Sequence, residues 1–272
     1  MTDHYAVVGH PVAHSLSPEI HAAFARQTGQ DLDYVKLPAP PDGFAATVRK
    51  FRDAGGKGVN ITLPFKHEAW NLAEIRVGNA APARAVNTLV FKDGTITGHN
   101  TDGPGLLADL EHNLRFPVRD RRVLLMGAGG ATYGVMQPLL NARPRQLAVA
   151  NRTLSKAQDL VAHFAQTAPA VTSAQTYAQL AGMHFDLVIN ATSAGLQDEM
   201  PPLPGGIFAA GGLAYDMVYG RQTPFMKFAQ QCGARTADGL GMLVEQAAES
   251  FFIWRGVRPD TRPVLEMLKR EE

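Results

Sequence analysis

Short apolar runs alternate along this chain with longer stretches in which apolar residues recur every three or four positions, the mark of strand and helix in turn. Over the first hundred residues the pattern predicts strands at 5–8, 34–37, 59–63 and 88–91. Helices are expected over 18–28, with Ser17 as N-cap ahead of Pro18, and over 43–54, with Asp42 as N-cap. Gly55, Gly56 and Gly58 break the second helix, the segment 64–67 reads as a loop, and Asp93-Gly94 reads as a tight turn. An amphipathic helix at 104–113 then connects to a second series. There, strands are expected near 123–126, 147–150, 170–172, 185–190 and 213–218, and helices near 131–140, 155–165, 177–181 and 224–232. A loop at 236–241 and helices at 242–255 and 262–269 complete the pattern. Regular alternation of this kind specifies an α/β protein of two layers.

The second series opens on a strand, a glycine turn, a helix and a second strand, the first half of a dinucleotide-binding unit. The turn is Gly127-Ala128-Gly129-Gly130-Ala131. Gly127 permits a tight turn, Gly129 lets backbone N–H groups approach a pyrophosphate, and the helix N-terminus adds partial positive charge. Thr132 stands where a strict G-x-G-x-x-G would have its third glycine. A site for NAD usually puts an acid about 20 residues beyond the glycines to accept from the ribose 2′-hydroxyl. Here that place holds Asn151, Arg152, Thr153, Ser155 and Lys156, a set of cations and donors that suits a 2′-phosphate and favours NADP. The small residues 191–195, after the strand at 185–190, would leave room for a ligand.

Composition narrows the class. The 272 residues suffice for one large or two modest domains, and a net charge of +1 gives no field for nucleic acid or a membrane surface. No apolar run approaches the roughly 18 residues of a membrane span, and the first ten residues lack the form of a secretory signal. Cys232 is the single cysteine, which excludes an internal disulfide and a cysteine-based zinc site and suits a reducing, cytoplasmic setting. His10, His14 and His21 lack metal-ligand spacing, because Pro11 and Pro18 interrupt any common helix face, so no metal is expected.

Polar residues gather at strand ends and loops of the first layer: Ser15, Ser17, Thr62, Lys66, Asn87 and Asp102. Such places open onto the ligand-binding edge of an α/β sheet. Hydroxyls, an amide and a cation–anion pair suit a small polyhydroxylated carboxylate, and a lysine there exchanges a proton with a substrate oxygen during hydride transfer.

Several motifs in order give the chain a family likeness. They are the segment 9–18, Asn60-Ile61-Thr62-Leu63-Pro64-Phe65-Lys66, Ala85-Val86-Asn87-Thr88-Leu89 and Asn100-Thr101-Asp102-Gly103. The segment 127–131, Asn151-Arg152-Thr153, Asn190-Ala191-Thr192-Ser193, Tyr215-Asp216-Met217, the segment 238–243 and Gln246 follow. With these the chain resembles the shikimate dehydrogenases. The resemblance implies reversible NADPH-dependent reduction of 3-dehydroshikimate to shikimate, a step toward chorismate and the aromatic amino acids. It implies Lys66 as acid/base paired with Asp102, and Ser15, Ser17, Thr62, Asn87, Asp102, Tyr215 and Gln246 as substrate-binding. Ser15 and Ser17 would take the carboxylate, and Lys66, Asn87 and Asp102 the ring hydroxyls.

For the cofactor it implies Gly127, Ala128, Gly129, Gly130 and Ala131 at the pyrophosphate, and Asn151, Arg152, Thr153 and Lys156 at the 2′-phosphate side. Met217 and Gly239 would lie near the nicotinamide. It also implies that the C-terminal helices return to the first domain, giving a substrate domain of 1–103 with 240–272 and a Rossmann-type NADP domain of 104–239. Hinge closure and a monomer or homodimer are expected. Arg84 stands where such proteins often carry glycine, and Lys156 where a second arginine is common. Three other readings compete: a relative that also takes quinate or NAD, a catalytically silent relative, and a methylenetetrahydrofolate dehydrogenase. Arg152 speaks against NAD, the Lys66/Asp102 pair against silence, and the S-x-S-P and N-T-D-G motifs against the last.

Overall fold

On β1 (Asp3–Gly9), Tyr5 and Val7 pack with Val12 and Tyr34, while Ala6 and Val8 pack with Phe44, Val59 and Leu89. Alternation of this kind fixes a strand apolar on both faces, so its sheet must be covered on both sides. The computed structural model describes residues 2–166, 171–192, 194 and 198–270. The chain divides into two units, Met1–Gly105 with Leu243–Glu272 and Leu106–Met242.

In the first unit the chain runs β1, α1 (Ser17–Thr28), β2 (Leu32–Pro38), α2 (Phe44–Asp53), β3 (Gly58–Ile61), α3 (Lys66–Leu72) and β4 (Ile75–Arg76). Then come α4 (Ala80–Ala83), β5 (Thr88–Lys92), β6 (Thr95–His99) and the start of α5 (Asp102–Ala108). The sheet order is β2-β1-β3-β5-β6-β4. β1 is parallel to β2 and β3, whereas β5 is antiparallel to β3 and β6. The carboxyl ends of β1, β3 and β6 therefore share one edge with the amino end of β5. Asp93 and Gly94 both hold positive φ, 50° and 78°, as a two-residue hairpin turn requires.

The second unit contains β7 (Arg122–Met126), α6 (Gly130–Asn141), β8 (Gln146–Ala150), α7 (Leu154–Phe164), β9 (Thr172–Gln175) and β10 (Phe185–Asn190). β11 (Phe208–Asp216), α8 (Pro224–Gln231) and β12 (Arg235–Ala237) follow. Its sheet is parallel throughout, in the order β12-β11-β10-β7-β8-β9. Val123 and Leu125 feed the core on one face, Leu124 and Met126 the core on the other. The order reverses between β7 and β10, the switch point where such sheets bind ligands. α9 (Leu240–Arg255) and α10 (Arg262–Leu268) complete the chain. In the first unit Phe251 lies edge-on to Phe24 of α1, and Trp254 donates through Nε1 to the Leu89 carbonyl at 3.1 Å.

Several expectations need correction. Ser17 is not the cap of α1: Leu16 holds that place, and the Ser15 hydroxyl accepts the Ser17 N–H. Asp42 is not a cap either, since Gly43 precedes α2 with no side-chain bond. The segment after Pro64 is helical from Lys66, because Pro64 sets the approach to a first turn. The connector starts two residues early, at Asp102, and ends in a π-turn over Asp109–Asn113. There the Leu114 N–H reaches Asp109, whose carboxylate accepts from the buried Tyr215 hydroxyl. The expected helix at 177–181 is one 3₁₀ turn, Ala178–Leu180, and the expected loop at 236–241 begins as β12, pairing with β11. The strand expected from residue 170 runs Thr172–Gln175, and residue 170 lies outside the described residues.

One buried polar residue contributes to the acid sensitivity of the fold. His21 on α1 is 1% exposed, and neither ring nitrogen has a hydrogen-bond partner among the described residues. Burial pushes its pKa down to about 3, against a weaker upward pull from the Asn60 carboxamide. The unfolded chain takes up this proton near pH 6.5, the folded chain only near 3, so stability is full above about 6.5 and falls as pH drops through that window. Urea midpoints measured from pH 7.5 to 4 should fall steeply for the parent and less steeply for His21→Phe. Parallel curves for the two proteins would contradict this assignment.

Candidate active site

The shared edge of the first sheet gathers the polar residues that sequence singled out. Lys66 opens α3 after β3, and Asp102 opens α5 after β6. Lys66 Nζ donates to Asp102 Oδ2 at 2.6 Å, with the lysine side chain 22% exposed and the carboxylate 7%. Asn87 sits just before β5, its backbone tied on both sides: its carbonyl accepts from Ile61 N–H and its N–H donates to the His99 carbonyl. The Val86 N–H donates to the Lys66 carbonyl at 2.9 Å, so the loop carrying Asn87 is pinned to α3.

The orientation of the Asn87 amide follows from its partners. Its Oδ1 accepts the Thr101 N–H at 2.8 Å, so Nδ2 must face Asp102 Oδ1, 2.9 Å away, and Gln246 Oε1 at 3.2 Å. One carboxylate oxygen of Asp102 thus takes an amide and the other an ammonium, while the Asp102 N–H donates to Asn100 Oδ1. Such a pair is worth keeping only when further hydrogen bonds support it, and here each carboxylate oxygen has a partner. Ser15 Oγ donates to Ser17 Oγ at 3.1 Å in the loop after β1. Thr62, half-buried, follows β3 and its N–H donates to the Val8 carbonyl. Gln246 lies on α9 against α5, where a Cβ on Gly105 would meet Gln246 Cβ at 2.6 Å; only glycine allows that approach. Ser15, Ser17, Thr62, Lys66, Asn87, Asp102 and Gln246 all belong to the first unit.

Behind them stands a buried layer that the sequence did not disclose. Tyr34 on β2 donates to Asn60 Oδ1 at 2.8 Å, and Asn60 Nδ2 donates to the Asn87 carbonyl, Thr88 Oγ1 and Ser250 Oγ. Ser250 meets Thr88 and Thr101 hydroxyls and donates to the Gln246 carbonyl. Thr101, Asn60 and Ser250 are almost wholly enclosed. In sequence Asn60 is one polar residue interrupting the apolar run of β3 and the first residue of a family motif, and neither shows its partners.

In the second unit the glycine turn follows β7 at the switch point. Gly127 holds φ 104°, and a Cβ there would meet the Ala191 carbonyl oxygen at 3.2 Å. Gly129 and Gly130 have nothing within 4 Å of an added Cβ, so the approach to their backbone is open. Ala131 begins the body of α6. Ala128, Gly129, Asn151, Arg152, Thr153 and Lys156 line one recess of about 160 Å³. Asn151 Nδ2 donates to the Thr153 carbonyl at 2.9 Å, and Arg152 and Lys156 are exposed at its rim. Of the stretch 191–195, Ser193 and Gly195 lie outside the described residues.

Met217 and Gly239 also meet: a Cβ on Gly239 would stand 2.3 Å from the Met217 carbonyl oxygen. Asp216 beside them accepts from Thr223 Oγ1 and Asn190 Nδ2, and burial pushes its carboxyl pKa up. Tyr215, expected to bind substrate, is not accessible: it is 0% exposed on β11 and donates to Asp109 Oδ2 at 2.7 Å. Strand alternation turns residues 213 and 215 into the core. The half-buried phenol at that strand end is Tyr219.

The chain matches the model of the shikimate dehydrogenase substrate binding domain over residues 7–89. It matches that of shikimate/quinate 5-dehydrogenase over 110–197 and of the shikimate 5′-dehydrogenase C-terminal domain over 239–269. It is 59% identical to the shikimate dehydrogenase (NADP(+)) of Nitrosospira multiformis, covering 99% of this chain and 98% of that one. Identity to the enzyme of the same name from Methylobacillus flagellatus is 57%, over 98% and 99%. Among solved structures, an Ael1 enzyme from Pseudomonas putida matches with TM-score 0.93 at 49% identity, covering 98% of each chain. The shikimate 5-dehydrogenase of Thermus thermophilus, in complex with NADP(H) and shikimate, matches with TM-score 0.87 at 34% identity, covering 99% of each. With a lysine–aspartate pair at one sheet edge, a glycine turn at the switch point of the other sheet and full-length relatives, this chain belongs to the shikimate dehydrogenase family.

Proposed function

We propose that this chain catalyses the reversible NADPH-dependent reduction of 3-dehydroshikimate to shikimate, with the first unit binding substrate and the second the cofactor. The observation that carries the reading is the Lys66–Asp102–Asn87 cluster, a proton-bearing cation held at 2.6 Å by a satisfied carboxylate. Ser15 and Ser17 present adjacent hydroxyls for a carboxylate. Thr62, Asn87, Asp102 and Gln246 offer the mixed donors and acceptors that ring hydroxyls need.

The residues of the second unit fit NADP. Open backbone at Gly129 and Gly130, beside the start of the twelve-residue α6, suits a pyrophosphate, and Asn151, Arg152, Thr153 and Lys156 suit a 2′-phosphate. Ala128 and Ala131 flank the pyrophosphate place, and Met217 with Gly239 form the nicotinamide side. When bound, NADPH supplies a hydride to the substrate carbonyl carbon. Lys66 donates its proton to the carbonyl oxygen as that oxygen becomes a hydroxyl, and takes a proton back in the oxidative direction. Asp102 keeps the ammonium aimed, and Asn87 keeps Asp102 aimed. Among the described residues no helix is long and apolar enough to cross a membrane, and the reading assigns a cytoplasmic enzyme, monomer or homodimer.

Lys66→Ala is expected to lower kcat for shikimate oxidation by roughly 10²–10⁴-fold, the usual worth of a general acid–base group. Its NADP affinity, measured by calorimetry, should stay at the parent value. Retention of kcat would remove Lys66 from the mechanism. Arg152→Ala should raise the KM for NADP by about ten-fold or more, from loss of a charge-assisted contact, and leave the KM for NAD and for shikimate in place. An equal rise for both cofactors would show that Arg152 does not read the 2′-phosphate.

A further inference from the structure

We propose that His21 is a positioning residue for the substrate site, acting through Tyr34. The inference rests on the reading that the first unit binds substrate. The imidazole lies flat against the Tyr34 ring, with centroids 4.3 Å apart and planes 5° apart. Phe24 meets the His21 ring edge-on at 6.0 Å, and Trp254 lies tilted at 5.4 Å. Held in this way, the phenol has one place for its hydroxyl, 2.8 Å from Asn60 Oδ1. Asn60 in turn bonds the Asn87 carbonyl, and Asn87 faces Asp102. The path from His21 to the Lys66–Asp102 pair is thus a stack followed by hydrogen bonds, each with a fixed direction.

A ring whose two nitrogens have no hydrogen-bond partner of good geometry among the described residues costs stability in an apolar setting, which an aliphatic side chain of similar volume would not. What the aliphatic chain lacks is a flat face. Ser17 also stands beside the Tyr34 hydroxyl and holds its pKa down against the larger upward effect of burial. The phenol is tied through Asn60 and Asn87 to the Lys66–Asp102 pair, and a slack Tyr34 loosens that support.

The test compares His21→Leu, which keeps volume, with His21→Phe, which keeps a flat ring, and uses Tyr34→Phe as the reference that removes the hydroxyl. His21→Leu should weaken shikimate binding to the cofactor-free protein, and raise the KM for shikimate, by roughly ten-fold, leaving the KM for NADP unchanged. His21→Phe should recover most of that loss. The double variant His21→Leu/Tyr34→Phe should lose no more than the worse single variant, because both act through one hydroxyl. A His21→Leu protein with parental shikimate binding, whatever its thermal stability, would overturn the proposal, as would additive losses in the double variant. If His21→Leu does not fold, His21→Met, which also lacks a flat face, takes its place in the same comparison with the same outcomes. A parent that does not turn over shikimate would sink the functional reading itself, separately from this one.

Discussion

The site depends on keeping an ammonium and a carboxylate together at the edge of a sheet, with a partner for each carboxylate oxygen. Lys66 and Asp102 come from different strand ends, 36 residues apart in sequence, and meet at 2.6 Å. What makes that meeting stable is Asn87. Its amide is fixed by the Thr101 N–H, its carbonyl by Ile61 and Asn60, and its remaining donor reaches the second oxygen of Asp102. A carboxylate this enclosed would otherwise carry an unpaired lone-pair site and a desolvation cost of several kcal/mol. The mixed sheet supplies the geometry: only because β5 runs against β3 and β6 does its amino end join their carboxyl ends.

The second unit solves a different problem with a parallel sheet. Its central strands β7, β8 and β10 are largely buried and read as nearly unbroken apolar runs, and the polar residues assigned to the cofactor follow their carboxyl ends. Gly127 must be glycine, for its φ and its approach to Ala191 exclude a side chain. Gly129 serves by leaving space. Gly239 lets its backbone lie on Met217, and Gly105 lets α5 lie on α9. Gly127, Gly239 and Gly105 mark close approaches, and Gly127, Gly129 and Gly239 border the proposed cofactor site.

Much of this was legible from residues alone, for identifiable reasons. The glycine turn, the cations after β8 and the polar residues after β3 and β6 are local signals, and strand order carries them to common edges. The helix at Lys66 was missed because a polar segment after Pro64 looks like a loop when it is only seven residues long. The buried bonds among Tyr34, Asn60, Thr101 and Ser250 are not legible, although Asn60 and Thr101 lie in family motifs, because such partners are distant in sequence: Asn60 and Ser250 are 190 residues apart. The enclosure of Tyr215 is illegible for the same reason, since its hydroxyl partner Asp109 lies 106 residues away.

The most direct test is the initial rate of oxidation of shikimate and of quinate, each with NADP and with NAD, followed by nicotinamide absorbance. The account predicts strong preference for shikimate over quinate and for NADP over NAD. Comparable turnover of quinate with NAD, or no turnover with any pair, would contradict it.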